Sequence, residues 1–133
     1  MVNIFLFIMA IFNFLTPAYA SFEQWVDSSL SVELPDNIEA FCFNLYDDGN
    51  NSWSIEIIGS ASFSKDDSDW ACDEIFSTRE NPLYFKSRRS WAYVLASRTQ
   101  MLKRYLRNGK YASLLLSKKG VAIGFVDGDL TLL

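Results

Sequence analysis

Apolar and polar residues alternate along "AFCFNLY": Phe41, Phe43 and Leu45 fall on one side, and Cys42, Asn44 and Tyr46 on the other. That period of two belongs to a half-buried strand. "SWSIEII" repeats it, with Trp53, Ile55 and Ile57 opposite Ser54, Glu56 and Ile58. The intervening "DDGNN" is turn chemistry, so the pair predicts an antiparallel hairpin. Elsewhere the period changes to helical. In "FEQWVDSSLSVELP", Phe22, Trp25, Val26 and Leu30 share a side, with Ser21 as N-cap and Pro35 as terminator. From about Arg89 to Arg107, Trp91, Val94, Leu95, Met101, Leu102, Tyr105 and Leu106 form an apolar stripe, and Arg89, Lys103, Arg104 and Arg107 lie opposite.

The remaining stretches are shorter. "DWACDEIF" predicts a third strand, and "RENPLYF", with its proline, an edge strand. Asn108-Gly109 stops the long helix, "YASLLL" reads as a short helix, and "GVAIGFV" and "DLTLL" form two strands about a tight Asp127-Gly128 turn. This order predicts an α+β domain: a mainly antiparallel sheet of about five strands, with one long amphipathic helix and shorter helices packed on one face. Residues 21–133 form that single domain. Residues 1–20 carry an apolar run closing on Ala18-Tyr19-Ala20, a small-x-small pattern. They read as a signal peptide, with an uncleaved anchor or a non-native N-terminal extension as alternatives. The first reading implies export to the periplasm or beyond, the last a cytoplasmic protein.

Composition narrows the chemistry. The chain has no histidine and two cysteines, Cys42 and Cys72, so a zinc site is close to excluded. In an exported protein the cysteines are expected to pair, which stabilises by roughly 3–4 kcal/mol through the unfolded state. In the cytosol they would be buried free thiols. The net charge of −4 conceals a division. Residues 21–80 hold 14 acidic and two basic residues, net −12; residues 81–133 hold ten basic and two acidic, net +8. Such a chain either neutralises itself across an internal interface or presents faces of opposite sign.

The densest acidic stretch is "FSKDDSDWACDEIF". Asp66, Asp67, Asp69 and Asp73 offer oxygens for a hard cation, but the spacing lacks the glycine and closing glutamate of a calcium loop. Asp73 and Glu74 are adjacent, so on a strand they point to opposite faces and form no catalytic pair. With no histidine and no nucleophile-elbow serine, enzymatic activity is not expected and no cofactor is implied. Asp66, Asp67 and Asp69 beside Trp70 suit docking to a basic protein surface, with the indole as anchor; a solvated loop is the plainer alternative. The basic helix face is countered by the acidic half, so nucleic acid is not expected as a partner. Arg98 falls inside the apolar stripe, where a guanidinium needs a partner. Glu56, Asp73 and Glu74 are the candidate carboxylates.

The stretches "FCFNLYDDG", "DWACDE" and "GFVDGDL" resemble a group of small bacterial proteins that look like immunity proteins of contact-dependent or polymorphic toxin systems. The similarity runs over residues 21–133. It implies a non-enzymatic protein that blocks a basic toxin domain by binding it through an acidic surface, with no small-molecule substrate. Membrane contact would come only through residues 1–20. The alternative is an exported envelope domain of structural or interaction role, held by a Cys42–Cys72 disulfide.

Overall fold

A computed structural model describes residues 17–133. The expected signal segment lies outside the described residues except for Pro17–Ala20. These four belong to the first helix, α1, Pro17–Leu30. Ser21 is therefore an exposed mid-helix residue rather than its cap, and Tyr19 is buried in the core. The helix stops ahead of Pro35, where the Ser31 hydroxyl donates to the Ser28 carbonyl at 2.7 Å and competes with helix continuation.

The hairpin forms as the alternation predicts. Strands β1 (Ala40–Gly49) and β2 (Ser52–Ser60) pair antiparallel, with Phe43 opposite Ile57 and Asn44 opposite Glu56. Gly49, Asn50 and Asn51 take positive φ at the turn, a conformation that glycine and asparagine accept most readily. "DWACDEIF" does not form one strand. Asp67 Oδ1 accepts the Asp69 N–H at 3.0 Å and caps a 3-10 turn over Ser68–Cys72, so β3 spans only Glu74–Ser77. β4 (Leu83–Lys86) follows, then α2 (Trp91–Asn108), α3 (Ala112–Leu116), β5 (Gly120–Phe125) and β6 (Thr131–Leu132).

All six strands join one sheet in the order β3-β2-β1-β5-β6, with β4 sharing β2's outer edge with β3. Where the edge ladder passes from β3 to β4, Thr78 fills the gap: its Oγ1 accepts the Ile57 N–H and its own N–H donates to the Ile57 carbonyl, both at 2.9 Å. The sheet is mostly antiparallel; the exception is the central β1–β5 pair, which is parallel. A parallel pair needs a crossover, and the chain between β1 and β5 includes the helices α2 and α3.

The helices cover one face. Phe22, Val26 and Leu30 of α1 and Leu102 and Tyr105 of α2 pack with Phe41, Phe43, Leu45, Ile55, Ile57, Val121 and Ile123. Burying one such large side chain is worth about 1.5–3 kcal/mol. Tyr105 ties the helices together, because its hydroxyl donates to Asp27 of α1 at 2.6 Å and accepts the Tyr111 N–H ahead of α3 at 3.1 Å. Burial first, and then the bond to Asp27, pushes its phenol well above the usual range. Among the described residues no helix is long and apolar enough to cross a membrane.

Candidate functional site

The acidic stretch crosses the sheet face that the helices leave open. Asp66, Asp67, Asp69 and Asp73 are exposed, and among the described residues none of them enters an ion pair. The expected anchor, Trp70, is not beside them at the surface. At 5 % exposure it is buried in a second cluster with Ala40, Cys42, Ile58 and Ala122, against the ring of Phe63 at 5.2 Å. The reason is local: the 3-10 turn capped by Asp67 swings the indole inward, and Ser60 Oγ fastens it by donating to the Trp70 carbonyl at 2.6 Å. The carboxylates stay in water while the aromatic residue holds their loop to the sheet.

Beyond this loop, the open face carries a polar network that sequence reasoning missed. Glu56 is 2 % exposed. It accepts from Asn44 Nδ2 at 3.2 Å, Tyr46 Oη at 2.5 Å and Arg79 Nε at 3.2 Å. Arg79 also reaches Glu74, with Nη2 2.7 and 3.1 Å from its two oxygens. Cys42 Sγ adds a contact to Asn44 Oδ1 at 3.3 Å. The buried carboxylate is thus saturated with donors, as a charge out of water must be. Burial, and then the bond to Glu56, pushes the Tyr46 phenol up to about 12. The bonds to Glu74 and Glu56 raise Arg79 further above its already high range. The available signal was the hairpin register, which sets Asn44 against Glu56 and Tyr46 two residues along, opposite Ser54. Arg79, beyond β3, had no local signal.

Arg98 does not take the expected carboxylate. It is buried on α2 at 7 % exposure, and its guanidinium lies over the Phe85 ring, 3.7 Å from the centroid. Glu56 and Glu74 are bound by Arg79 instead, and Asp73 is exposed. Burial lowers the Arg98 guanidinium to about 10. The candidate disulfide is also absent: Cys42 is a buried free thiol and Cys72 an exposed one. Burial, reinforced by the charge of Glu56, pushes the Cys42 thiol up to about 12.

The division of charge can now be followed through the fold. Three ion pairs connect described residues: Arg79–Glu56, Arg79–Glu74 and Lys119–Glu39. Two lie wholly within the acidic half of the chain, and only Lys119–Glu39, at 3.2 Å, joins the halves. Most of the charge is therefore not spent on internal pairs. Among the described residues, no group of three or more Cys, Asp or Glu is placed to hold a metal ion. Compared with known protein families, with characterised proteins and with solved structures, the chain matches none.

Proposed function

We propose that this chain is a non-catalytic binding protein that neutralises a toxin by direct contact, presenting its acidic surface to a basic protein domain. The observation that carries this reading is that, among the described residues, a single ion pair, Lys119–Glu39, joins the halves, together with the exposure of Asp66, Asp67, Asp69 and Asp73. A charge division that is not neutralised internally remains available to steer a partner of opposite sign. The resemblance of "FCFNLYDDG", "DWACDE" and "GFVDGDL" to immunity-type proteins supports the same reading. Trp70 has no part in the contact; it positions the loop.

The test is to mix the purified protein with the product of the adjacent gene and follow complex formation at low salt, where steering is strongest. A complex is expected at micromolar concentration. The combined variant Asp66→Asn, Asp67→Asn, Asp69→Asn is expected to slow association about tenfold, with the deficit shrinking as salt is added. No complex under these conditions overturns the proposal.

A further inference from the structure

At the opposite end of the sheet from the acidic loop lies a cleft of about 570 Å³, lined by Trp91, Leu95, Phe125, Asp47, Asp127 and Asp129. Its walls are apolar and its rim is anionic. Trp91 begins α2 and is 62 % exposed, although its spacing assigns it to the buried stripe. Its ring is nevertheless braced along one edge. Phe125 of β5 meets it edge-on with centroids 6.2 Å apart, and Phe125 leans in turn on Trp53 of β2 at 5.9 Å. Trp53 Nε1 donates to the Ser87 carbonyl at 3.0 Å, which secures the segment leading into α2. The indole therefore presents a free face with its edge supported by packed aromatic residues.

The rim is held by local contacts. Asp47 Oδ1 accepts the Gly49 N–H at 3.0 Å, which holds that carboxylate at the hairpin. The Asp127-Gly128-Asp129 turn seats closely on β5, because a Cβ on Gly124 would lie 2.5 Å from the Asp129 carbonyl oxygen. Among the described residues, none of Asp47, Asp127 and Asp129 enters an ion pair. The start of α2 contributes a partial positive charge of about half a unit, and the exposed Arg88 and Arg89 precede it, with the Arg89 guanidinium turned onto the Tyr93 ring. Among the described residues, the lining of the cleft itself carries three carboxylates and no Lys or Arg.

From the combination of an exposed indole braced along one edge, an apolar wall and three carboxylates outside any ion pair among the described residues, we infer that this cleft receives an arginine side chain of a basic partner protein. The arginine stem lies along Leu95 and Phe125, and the guanidinium stacks on Trp91 within reach of the rim. Charge complementarity selects the occupant, and the planar fork of arginine suits both stacking and carboxylate bonding better than the compact ammonium of lysine. The inference rests on the proposed binding of a basic protein, and it supplies the aromatic anchor that Trp70 does not.

The experiment titrates the full chain with a blocked Gly-Arg-Gly-Arg-Gly peptide and its citrulline counterpart at low salt. The readout is the four indole N–H resonances, with Trp91 identified through Trp91→Phe. Saturable shifts led by Trp91 are expected, with binding at least about fivefold tighter for arginine than for citrulline. Trp91→Ala and the pair Asp127→Asn, Asp129→Asn are each expected to weaken it by a similar factor. Equal binding of citrulline, retention of full affinity in Trp91→Ala, tighter binding of a lysine peptide, or no saturation at about 10 mM peptide, far weaker than a specific contact, overturns the inference. A toxin partner that binds Trp91→Ala as tightly as wild type also overturns it, while leaving the proposed function standing.

Discussion

Arg98 and Cys42 show how much a single side chain depends on what the fold sets against it. Arg98 is buried over Phe85 without a carboxylate. Its attraction to the ring offsets only part of the cost of desolvating the charge. Arg98→Met keeps the stem packing and removes that cost. Its unfolding free energy is expected within about 1 kcal/mol of wild type, or above it. A loss beyond about 2 kcal/mol in urea melts would show that the guanidinium stabilises the fold. The cysteines differ just as sharply. Cys42 is buried with its thiol pushed up to about 12, whereas Cys72 is exposed. A thiol reagent is expected to modify one residue quickly in the native protein, mapped to Cys72, and the second only on unfolding. Rapid modification of both would contradict the packing of β1.

At the scale of elements, the Arg79 network joins strands that are otherwise weakly held. β3 and β4 are four residues each, and both depend on β2 for their pairing. Arg79 lies between them and binds the buried Glu56. Arg79→Met leaves that carboxylate without its cation, though Asn44 and Tyr46 still donate to it, and with the Arg79 side chain 58 % exposed it is expected to cost roughly 1–2 kcal/mol. Glu74→Gln, at the more exposed end of the network, is expected to cost less than about 1 kcal/mol. Equal effects in chemical denaturation would refute this ranking.

Elements with a local period were legible in the sequence: the β1–β2 hairpin, the body of α2 and the alternation that places Phe41, Phe43 and Leu45 in the core. Features set by a capping side chain or by distant pairing were not. The Asp67 cap breaks the expected third strand, the β1–β5 pairing leaves no local trace, and Trp91 fits the helical stripe yet lies beyond the edge of what the sheet can cover. Asp66, Asp67, Asp69 and Asp73 are exposed, but the aromatic residue nearest them in sequence, Trp70, is buried and is not their neighbour at the surface.

For the whole molecule, the presence of one ion pair between the halves among the described residues makes a claim about salt. Were the fold held by attraction between its acidic and basic halves, screening would lower the melting temperature. Because most carboxylates of the acidic half lie outside the ion pairs among the described residues, screening mainly relieves repulsion. The melting temperature is expected to be equal or higher at about 0.5 M than at about 0.02 M sodium chloride, where the Debye length is several times longer. A clear fall, measured by calorimetry, would show that the opposed charges are spent on holding the fold together.

The parallel β1–β5 pair also governs the order in which this protein can form. Ala40 faces Gly120, so the central pairing of the sheet joins segments from nearly opposite ends of the described chain. Contacts of such separation carry a loop-closure cost before they return any stability, and they slow folding. Until β5 has been synthesised, β1 is an uncovered edge lined with phenylalanines, open to pairing with another chain. The nascent acidic half must therefore persist as a soluble, unfinished hairpin, and its surplus of like charge, which contributes little to the stability of the finished fold, is what keeps neighbouring copies apart during that wait.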